Sequence, residues 1–170
     1  MEEPKKTKPK KTKSKNDTWA TPIEVFNTLN SEFDFEFDVC AQHSTAKCPQ
    51  YWTIDDDALS KDWTDDTVGA LSLWCNPPYS KITPWVEKAI HAQSKGTKVV
   101  MLVMGDTSVK WFSKALEYCS EVRYVINGRL SFVNNGVVQK GNNKPSVIFV
   151  FDPYYIKACK TKYVSRSTFY

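Results

Sequence analysis

The residues best suited to chemistry form a corner, Asn76-Pro77-Pro78-Tyr79, directly after a short apolar run. Proline fixes its own φ and restricts the residue before it, so the two prolines hold this corner extended and rigid, and neither donates an N–H group. The corner therefore presents the Asn76 carboxamide, bare carbonyl groups and the Tyr79 ring at the carboxyl end of a predicted strand. Ligands bind at that edge in open α/β sheets.

This corner suits a planar aromatic amine. The side-chain oxygen of Asn76 and the carbonyl of Pro77 can each accept one N–H of an exocyclic amino group, which pushes electron density onto the nitrogen. The Tyr79 ring can stack on the heterocycle. The alternative is a turn in which Asn76 caps and the prolines only end the strand. The combination of strand, corner and following helix favours the catalytic interpretation.

Five motifs in order resemble the small DNA N6-adenine methyltransferases of bacteriophages and prophages, which use S-adenosylmethionine. The motifs are Trp19-Ala20-Thr21-Pro22, Phe37-Asp38-Val39-Cys40-Ala41, Asp57-Ala58-Leu59 with Trp63, Asn76-Pro77-Pro78-Tyr79-Ser80 and Gly128-Arg129-Leu130-Ser131-Phe132. The Asn-Pro-Pro-Tyr signature alone is shared with RNA and protein-glutamine methyltransferases. The ordered set, which covers residues 19–151, is much more specific.

The resemblance implies transfer of a methyl group from S-adenosylmethionine to the N6 amine of adenine in duplex DNA, with the adenine flipped out and no metal required. The corner would be catalytic through Asn76, Pro77, Pro78 and Tyr79. The cofactor would be bound by Trp19, Thr21, Pro22, Asp38, Cys40, Asp57 and Asn76. An RNA adenine or protein-glutamine methyltransferase stays open, as does a nucleic-acid-binding module without catalysis, because the loop after Asp38 lacks the usual glycines.

Several cofactor candidates also have a purely structural interpretation. Thr21, Pro22 and Glu24 match a capping box that starts a helix, although a helix N-terminus also suits a carboxylate. Asp57 ends an acidic run that can cap the next helix or bind the adenosine of the cofactor, and it is the carboxylate that matches the family motif. In the family, Asp38 would bind the amino end of the cofactor.

Too few residues separate Asp38 from Asn76 for a separate target-recognition domain, so loops must recognise the DNA. The residues expected to contact DNA are Ser80, Lys81, Arg129, Phe132, Lys140 and Lys144. A salt-bridged loop residue explains Arg129 equally well.

The basic character of the chain lies in its first residues. Residues 1–16 carry seven lysines and two glutamates, whereas the whole chain has a net charge of only +4. This polar segment cannot form a core, and it is either a solvated tail, an arm on DNA phosphates or a nuclear-import signal. We expect a tail at 1–17, a methyltransferase domain at 18–152 and a C-terminal extension at 153–170.

Strands alternating with helices predict a three-layer α/β sandwich, a reduced form of the Rossmann-like methyltransferase fold. Strands are expected at 33–39, 51–54, 71–74 (with Leu71 buried) and 98–104, and an antiparallel pair at 122–126 and 146–151. Helices are expected from Thr21, from Thr83 and after residue 108. Asn134-Asn135-Gly136 predicts a hairpin turn.

The chain is expected to be intracellular, in the cytoplasm or in the nucleus of a eukaryotic host. It has no membrane-length apolar run and no visible signal peptide, and its five cysteines are scattered. Cys40, His43 and Cys48 could belong to a zinc site, but buried unreactive thiols are favoured because no fourth ligand has a recognised spacing.

Overall fold

The computed structural model describes residues 17, 19–65, 69–139, 142, 144–155 and 159–170. The helices are α1 (Ile23–Phe33), α2 (Thr83–Ser94) and α3 (Lys110–Tyr118). The strands are β1 (Phe37–Asp38), β2 (Gln50–Tyr51), β3 (Ser72–Cys75), β4 (Lys98–Met104), β5 (Glu121–Ile126), β6 (Val133–Asn134), β7 (Val137–Val138), β8 (Ser146–Phe151) and β9 (Lys160–Ser165). Short 3₁₀ turns cover Ile54–Asp56 and Arg166–Thr168.

One mixed sheet runs through the molecule in the order β2-β1-β3-β4-β8-β5-β9. The strands β2, β1, β3 and β4 are parallel, β8 is antiparallel to both β4 and β5, and β9 is parallel to β5. The antiparallel pairing of β5 with β8 confirms the predicted pair. The strand β8 inserts between β4 and β5, which the pattern of each strand by itself does not indicate.

Helices cover both faces of the sheet. Along β4, Val99, Met101 and Val103 pack with α2 and α3, whereas Val100 and Leu102 pack with α1. Successive residues of a strand point to opposite faces, so a strand covered on both faces needs a continuous apolar run. The apolar run at 98–104 predicts such a strand, and the three layers agree with it.

The predicted capping box at the start of α1 is wrong. Pro22 is the N-cap of α1, with φ −55° and ψ 142°, and no side chain caps this end. The Phe26 N–H donates to the Pro22 carbonyl at 3.1 Å, so the helix begins after Pro22 and Thr21 stands outside its first turn. The helix α2 begins at Thr83, as expected, and Ile82 is its N-cap.

Two apolar residues before strands lie elsewhere than predicted. Leu71 is 70% exposed because it precedes β3, which begins at Ser72, so the buried alternation does not reach it. Phe33 is the last residue of α1 and not the first of a strand. The alternation that follows it is present, with Phe35, Phe37 and Val39 buried.

The C-terminal residues continue the sheet. The strand β9 pairs with β5 along its whole length, and Phe169 is buried in the α1 face of the core. Folded structure therefore extends past the boundary expected at residue 152. Residues 1–16 of the expected tail, and Lys140, lie outside the described residues.

No helix in the described ranges is long and apolar enough to cross a membrane.

Candidate active site

The site lies where the order of the strands reverses. The chain runs outward from β1 to β2 and then returns to β3 on the other side of β1. Such a reversal leaves a crevice outside the carboxyl ends of the two central strands, and open α/β sheets bind ligands there. Asp38 ends β1 at this crevice, and Asn76 directly follows β3.

A cavity of about 530 Å³ fills this crevice. Its walls bring together six of the seven predicted cofactor residues, together with two of the predicted DNA contacts: Trp19, Thr21, Asp38, Cys40, Asp57, Asn76, Ser80 and Lys81. The remaining cofactor residue, Pro22, lines a neighbouring cavity of about 670 Å³. Of the corner, Asn76 and Pro78 line the first cavity, whereas Pro77 and Tyr79 do not.

The carboxamide of Asn76 has a defined orientation. Its Nδ2 donates to the carbonyl oxygen of Trp19 at 3.3 Å. A carbonyl accepts only from the amino end of an amide, so this bond distinguishes the two ends. The Oδ1 of Asn76 is left as an acceptor, with no donor to it among the described residues. Asn76 can therefore accept a hydrogen bond from a ligand in the cavity.

Tyr79 is held by aromatic packing. Its ring lies edge-on to Phe132, with ring centroids 6.1 Å apart. Tyr79 as a residue is half-buried, whereas its hydroxyl is fully enclosed and has no hydrogen-bond partner in the described ranges. Burial raises the pKa of this phenol well above its ordinary value. The phenol therefore stays neutral, and the ring face, not the hydroxyl, is what Tyr79 can offer to a ligand.

Asp38 organises the loop that follows β1. Its Oδ1 accepts the Cys40 N–H and its Oδ2 accepts the Lys47 N–H, both at 3.1 Å. Burial raises the pKa of Asp38 to about 6, against the opposing effect of these two N–H groups and the Lys47 charge. The two hydrogen bonds fix the conformation of a loop that contains no glycine, because the Asp38 carboxylate accepts backbone N–H groups on both sides of it.

The three carboxylates after β2, Asp55, Asp56 and Asp57, have different environments. Asp56 caps the turn Ile54–Asp56, since its Oδ2 accepts the Thr53 N–H at 2.7 Å. Asp57 lies at the other end of the turn, with φ 48°, a conformation that Asp tolerates better than most residues. Asp57 lines the cavity, whereas Asp55 and Asp56 do not. Trp63 anchors the following loop by donating its indole N–H to the Ala58 carbonyl at 2.8 Å.

The hydroxyl of Thr21 is an orphaned polar group. Thr21 is 2% exposed and its Oγ1 has no hydrogen-bond partner in the described part of the chain. The residue lines both cavities. An unpaired buried hydroxyl costs about 1–3 kcal/mol, which a polar ligand would recover.

Two residues of the site carry no motif signal. Lys47 lines both cavities, and burial lowers the pKa of its ammonium while the Asp38 and Glu24 carboxylates oppose that shift. Asp17 lines the first cavity and accepts two hydrogen bonds from Ser80. The only sequence signal of Asp17 is its position, as a carboxylate between a lysine-rich run and the first aromatic residue.

The predicted DNA contacts gather at the same edge of the sheet. The strand β5 ends there and the antiparallel β8 begins there, so the segment between them lies beside the cavity edge. Arg129 is exposed in this segment, and Lys144 is 3.8 Å from the Asp106 carboxylate. No ion pair of Arg129 is found in the described residues.

Phe132 is 1% exposed and packs against Trp19 and Tyr79. A direct contact of Phe132 with nucleic acid would require this segment to move.

The predicted hairpin is confirmed. The strands β6 and β7 are antiparallel, with Val133 opposite Val138, and Asn135 and Gly136 form the two-residue turn, both with positive φ. Ala20 and Val133 form a bridge, with N–H to carbonyl distances of 2.7 and 2.9 Å. The hairpin is thus attached to the segment that contacts Asn76.

The thiols near the site have raised pKa values. Burial raises the pKa of Cys40, and the nearby Asp38 charge raises it further. Burial raises the pKa of Cys48 to about 12. Within the described ranges, no three His, Cys, Asp or Glu side chains form a group that could hold a metal ion.

The chain is similar to known proteins along most of its length. A family model described as DNA N-6-adenine-methyltransferase (Dam) matches residues 8–169. The DNA N-6-adenine-methyltransferase of Haemophilus phage HP1 (strain HP1c1) is 36% identical over 165 residues, which cover 94% of this chain and 92% of the relative. The DNA N-6-adenine-methyltransferase of Escherichia phage T1 is 29% identical over 151 residues, which cover 79% and 62% respectively.

Proposed function

The chain belongs to the DNA N-6-adenine-methyltransferase family, and from that membership we propose that it transfers a methyl group from S-adenosylmethionine to the N6 amine of adenine in DNA. The fold we assign to it is the Rossmann-like methyltransferase fold in a reduced form, which the parallel strands β1 to β4 and the antiparallel β8 support.

The observation that carries this proposal is the orientation of Asn76. Its amide nitrogen is engaged by the Trp19 carbonyl, so its oxygen is available at the carboxyl edge of β3. The Pro77 carbonyl also receives no hydrogen bond within the described residues. Asn76 lines the cavity and Pro77 follows it in the chain. Two acceptors match an exocyclic amino group, which has two N–H donors.

The residues around the cavity fit S-adenosylmethionine. The buried Asp38 carboxylate suits the ammonium of its methionine part, and the unpaired Thr21 hydroxyl, just before the N-terminus of α1, suits its carboxylate. Asp57 suits the adenosine, and Trp19 and Cys40 complete the wall. When bound, S-adenosylmethionine supplies a methyl group that its sulfonium has already activated.

The corner acts on the amine nucleophile. The N6 lone pair of adenine is delocalised into the ring, so the amine attacks poorly unless acceptors favour its tetrahedral form. Asn76 Oδ1 and the Pro77 carbonyl each accept one N–H, which concentrates electron density on the nitrogen as it attacks. Asn76 is neutral and does not act as a base, so the proton leaves to water after transfer.

Tyr79 and the exposed cations supply the DNA side of the site. An adenine in duplex DNA must leave the stack before it reaches Asn76, and the Tyr79 ring, three residues along the chain, would give it a stacking surface. Lys81, Arg129 and Lys144 are exposed at this edge, where they can pair with phosphates. Phosphate contacts position the duplex but carry no sequence information, so the loops beside the cavity would recognise the bases.

The deciding experiment measures transfer of a labelled methyl group to DNA, RNA and protein, by the wild type and by Asn76→Ala. We expect transfer to DNA adenine alone, and a decrease of about 3–4 kcal/mol in transition-state stabilisation in Asn76→Ala, as when one oxyanion-hole donor is removed. Cofactor affinity, measured by calorimetry, should change by less than about tenfold.

Asn27→Ala is the matched control, because Asn27 is exposed on α1 and lines neither cavity. Label appearing on RNA or protein would redirect the substrate assignment. Cofactor binding without transfer to any of the three would indicate a module without catalytic activity. A fully active Asn76→Ala enzyme would refute the role of the corner.

A further inference from the structure

Asp17 lies outside the five motifs of the sequence analysis, yet it is bound to the turn that follows the corner. Its Oδ1 accepts the Ser80 backbone N–H at 3.0 Å, and its Oδ2 accepts the Ser80 hydroxyl at 2.7 Å. Both carboxylate oxygens therefore bind one residue, and that residue directly follows Tyr79. Hydrogen bonds to an ionised acceptor are roughly twice as strong as neutral ones.

Few backbone hydrogen bonds hold the turn. Pro77 and Pro78 have no N–H to donate, and the only backbone bond described within the turn joins the Lys81 N–H to the Pro78 carbonyl, at 3.3 Å. Ser80 itself is exposed. Without Asp17, both Ser80 donors would turn to water, and the backbone after Tyr79 would be free to shift.

The chain after Asp17 makes two further attachments. The Trp19 carbonyl accepts from Asn76 Nδ2, and Ala20 pairs with Val133 of the β6–β7 hairpin. This segment therefore binds the turn after Tyr79, then the carboxamide of Asn76, then the hairpin. Asp17 is its attachment at the end nearest Tyr79.

We propose that Asp17 is a positioning residue for the methyl-transfer reaction, which holds Ser80 and thereby the Tyr79 ring in the place where the target base stacks. This inference rests on the proposed function of the same site. Asp17 acts through Ser80 and not on the reacting atoms. A misplacement of about 1 Å in a site of this kind can lower a rate by about a hundredfold.

The test compares two substitutions of Asp17 with one control. Asp17→Ala removes both acceptors. Asp17→Asn retains an oxygen for the Ser80 N–H and offers an N–H to the Ser80 hydroxyl oxygen, so it retains the geometry without the charge. The control is Asp62→Ala. Asp62 Oδ1 likewise accepts two hydrogen bonds from one residue, from the Thr64 N–H at 3.0 Å and from the Thr64 hydroxyl at 2.8 Å. Asp62 lines neither cavity.

We expect Asp17→Ala to lower kcat by about tenfold or more while the Kd for S-adenosylmethionine changes by less than about twofold. Asp17→Asn should restore most of the kcat, and Asp62→Ala should match the wild type. An Asp17→Ala enzyme with wild-type kcat would overturn the inference. An effect confined to the cofactor Kd would also overturn it, because Asp17 would then be a binding residue.

A second readout does not depend on activity. The Ser80 amide hydrogen should exchange with solvent at least about tenfold faster in Asp17→Ala than in the wild type, and Asp62→Ala should leave it unchanged. If the wild type transfers no methyl group to DNA, the proposed function fails. The Ser80 amide then decides the inference alone, since accelerated exchange supports the positioning of the corner and unchanged exchange refutes it.

Discussion

At the scale of single residues, the environment of Tyr79 separates its ring from its hydroxyl. The hydroxyl is enclosed and unpaired in the described structure, although the residue as a whole is only half-buried. Removing a buried polar atom that has no partner is neutral or stabilising. We therefore expect the ring, and not the hydroxyl, to be the functional part of this side chain.

We accordingly expect Tyr79→Phe to keep wild-type turnover and an equal or higher Tm. Tyr79→Ala should lose about 1–3 kcal/mol of stacking energy with the target base, and should therefore bind DNA more weakly and transfer the methyl group more slowly. Turnover and thermal unfolding of both variants check this. If Tyr79→Phe is as impaired as Tyr79→Ala, the hydroxyl has a role in the complex with DNA.

The proposed contact of Asp38 with the cofactor would make cofactor binding depend on pH. If Asp38 binds the ammonium of S-adenosylmethionine, it must do so as a carboxylate, and burial raises the pKa of Asp38 to about 6 in the free protein. Below that pH, binding must first remove a proton, so the cofactor Kd should rise about tenfold for each pH unit below 6. Calorimetry between pH 5 and 7 measures it.

Asp38→Asn is the control for this dependence, since it should bind weakly and with little change over the same pH range. The same pH profile in wild type and Asp38→Asn would exclude Asp38 as the titrating group. The raised pKa has an opposite effect on folding. The folded state binds the proton more tightly than the unfolded state, so this contribution to stability is present at low pH and disappears as the pH rises through about 6.

At the scale of elements, the β6–β7 hairpin depends on the Asn135-Gly136 turn. Gly136 has φ 76°, and an added Cβ would meet nothing within 4 Å, so the cost of Gly136→Ala is conformational alone. That cost is about 1 kcal/mol. If the hairpin contacts DNA, Gly136→Ala should weaken DNA binding by about fivefold without changing the cofactor Kd.

Gly96→Ala is a matched control for the hairpin. Gly96 also has positive φ, at 98°, and open space around its Cα, but it follows α2 and lines neither cavity. Both variants should be destabilised to a similar extent in thermal unfolding. Equal DNA affinity of the two variants would place DNA recognition outside the hairpin.

At the scale of the whole molecule, the surplus of positive charge is concentrated at the start of the sequence. Residues 1–16 carry a surplus of five positive charges, and the rest of the chain is close to neutral. If these lysines bind phosphates, deleting residues 1–16 should weaken DNA binding. The deletion should also flatten the slope of log affinity against log salt, by about 0.9 for each phosphate that the lysines neutralise.

The methylated sequence should not change in this deletion, because phosphate contacts position and base contacts specify. Turnover at saturating DNA should also persist, since Asn76, Tyr79 and Asp38 lie elsewhere. Binding measured at several salt concentrations, with and without residues 1–16, checks this prediction. An identical salt slope would show that the segment binds no phosphate.

The sequence by itself determined the features that rest on short patterns. The Asn76 corner is four adjacent residues, the strands at 98–104 and 146–151 are continuous apolar runs, and Asn135-Gly136 is a two-residue turn signal. Each of these depends on the conformational preferences of neighbouring residues, so the pattern alone predicts it. The selection of Asp57 from the acidic run came from the family motif, and its place in the wall of the cavity agrees with that choice.

Only the tertiary structure decided the features that join distant residues. Asp17 meets Ser80, Trp19 meets Asn76, and β8 inserts between β4 and β5. Thr21, predicted as a helix cap, instead has a buried and unpaired hydroxyl, and Phe132 is buried against Tyr79. Hydrogen bonding and packing between residues far apart in the chain leave no local pattern, because each partner has an ordinary sequence neighbourhood and only the fold brings the two together.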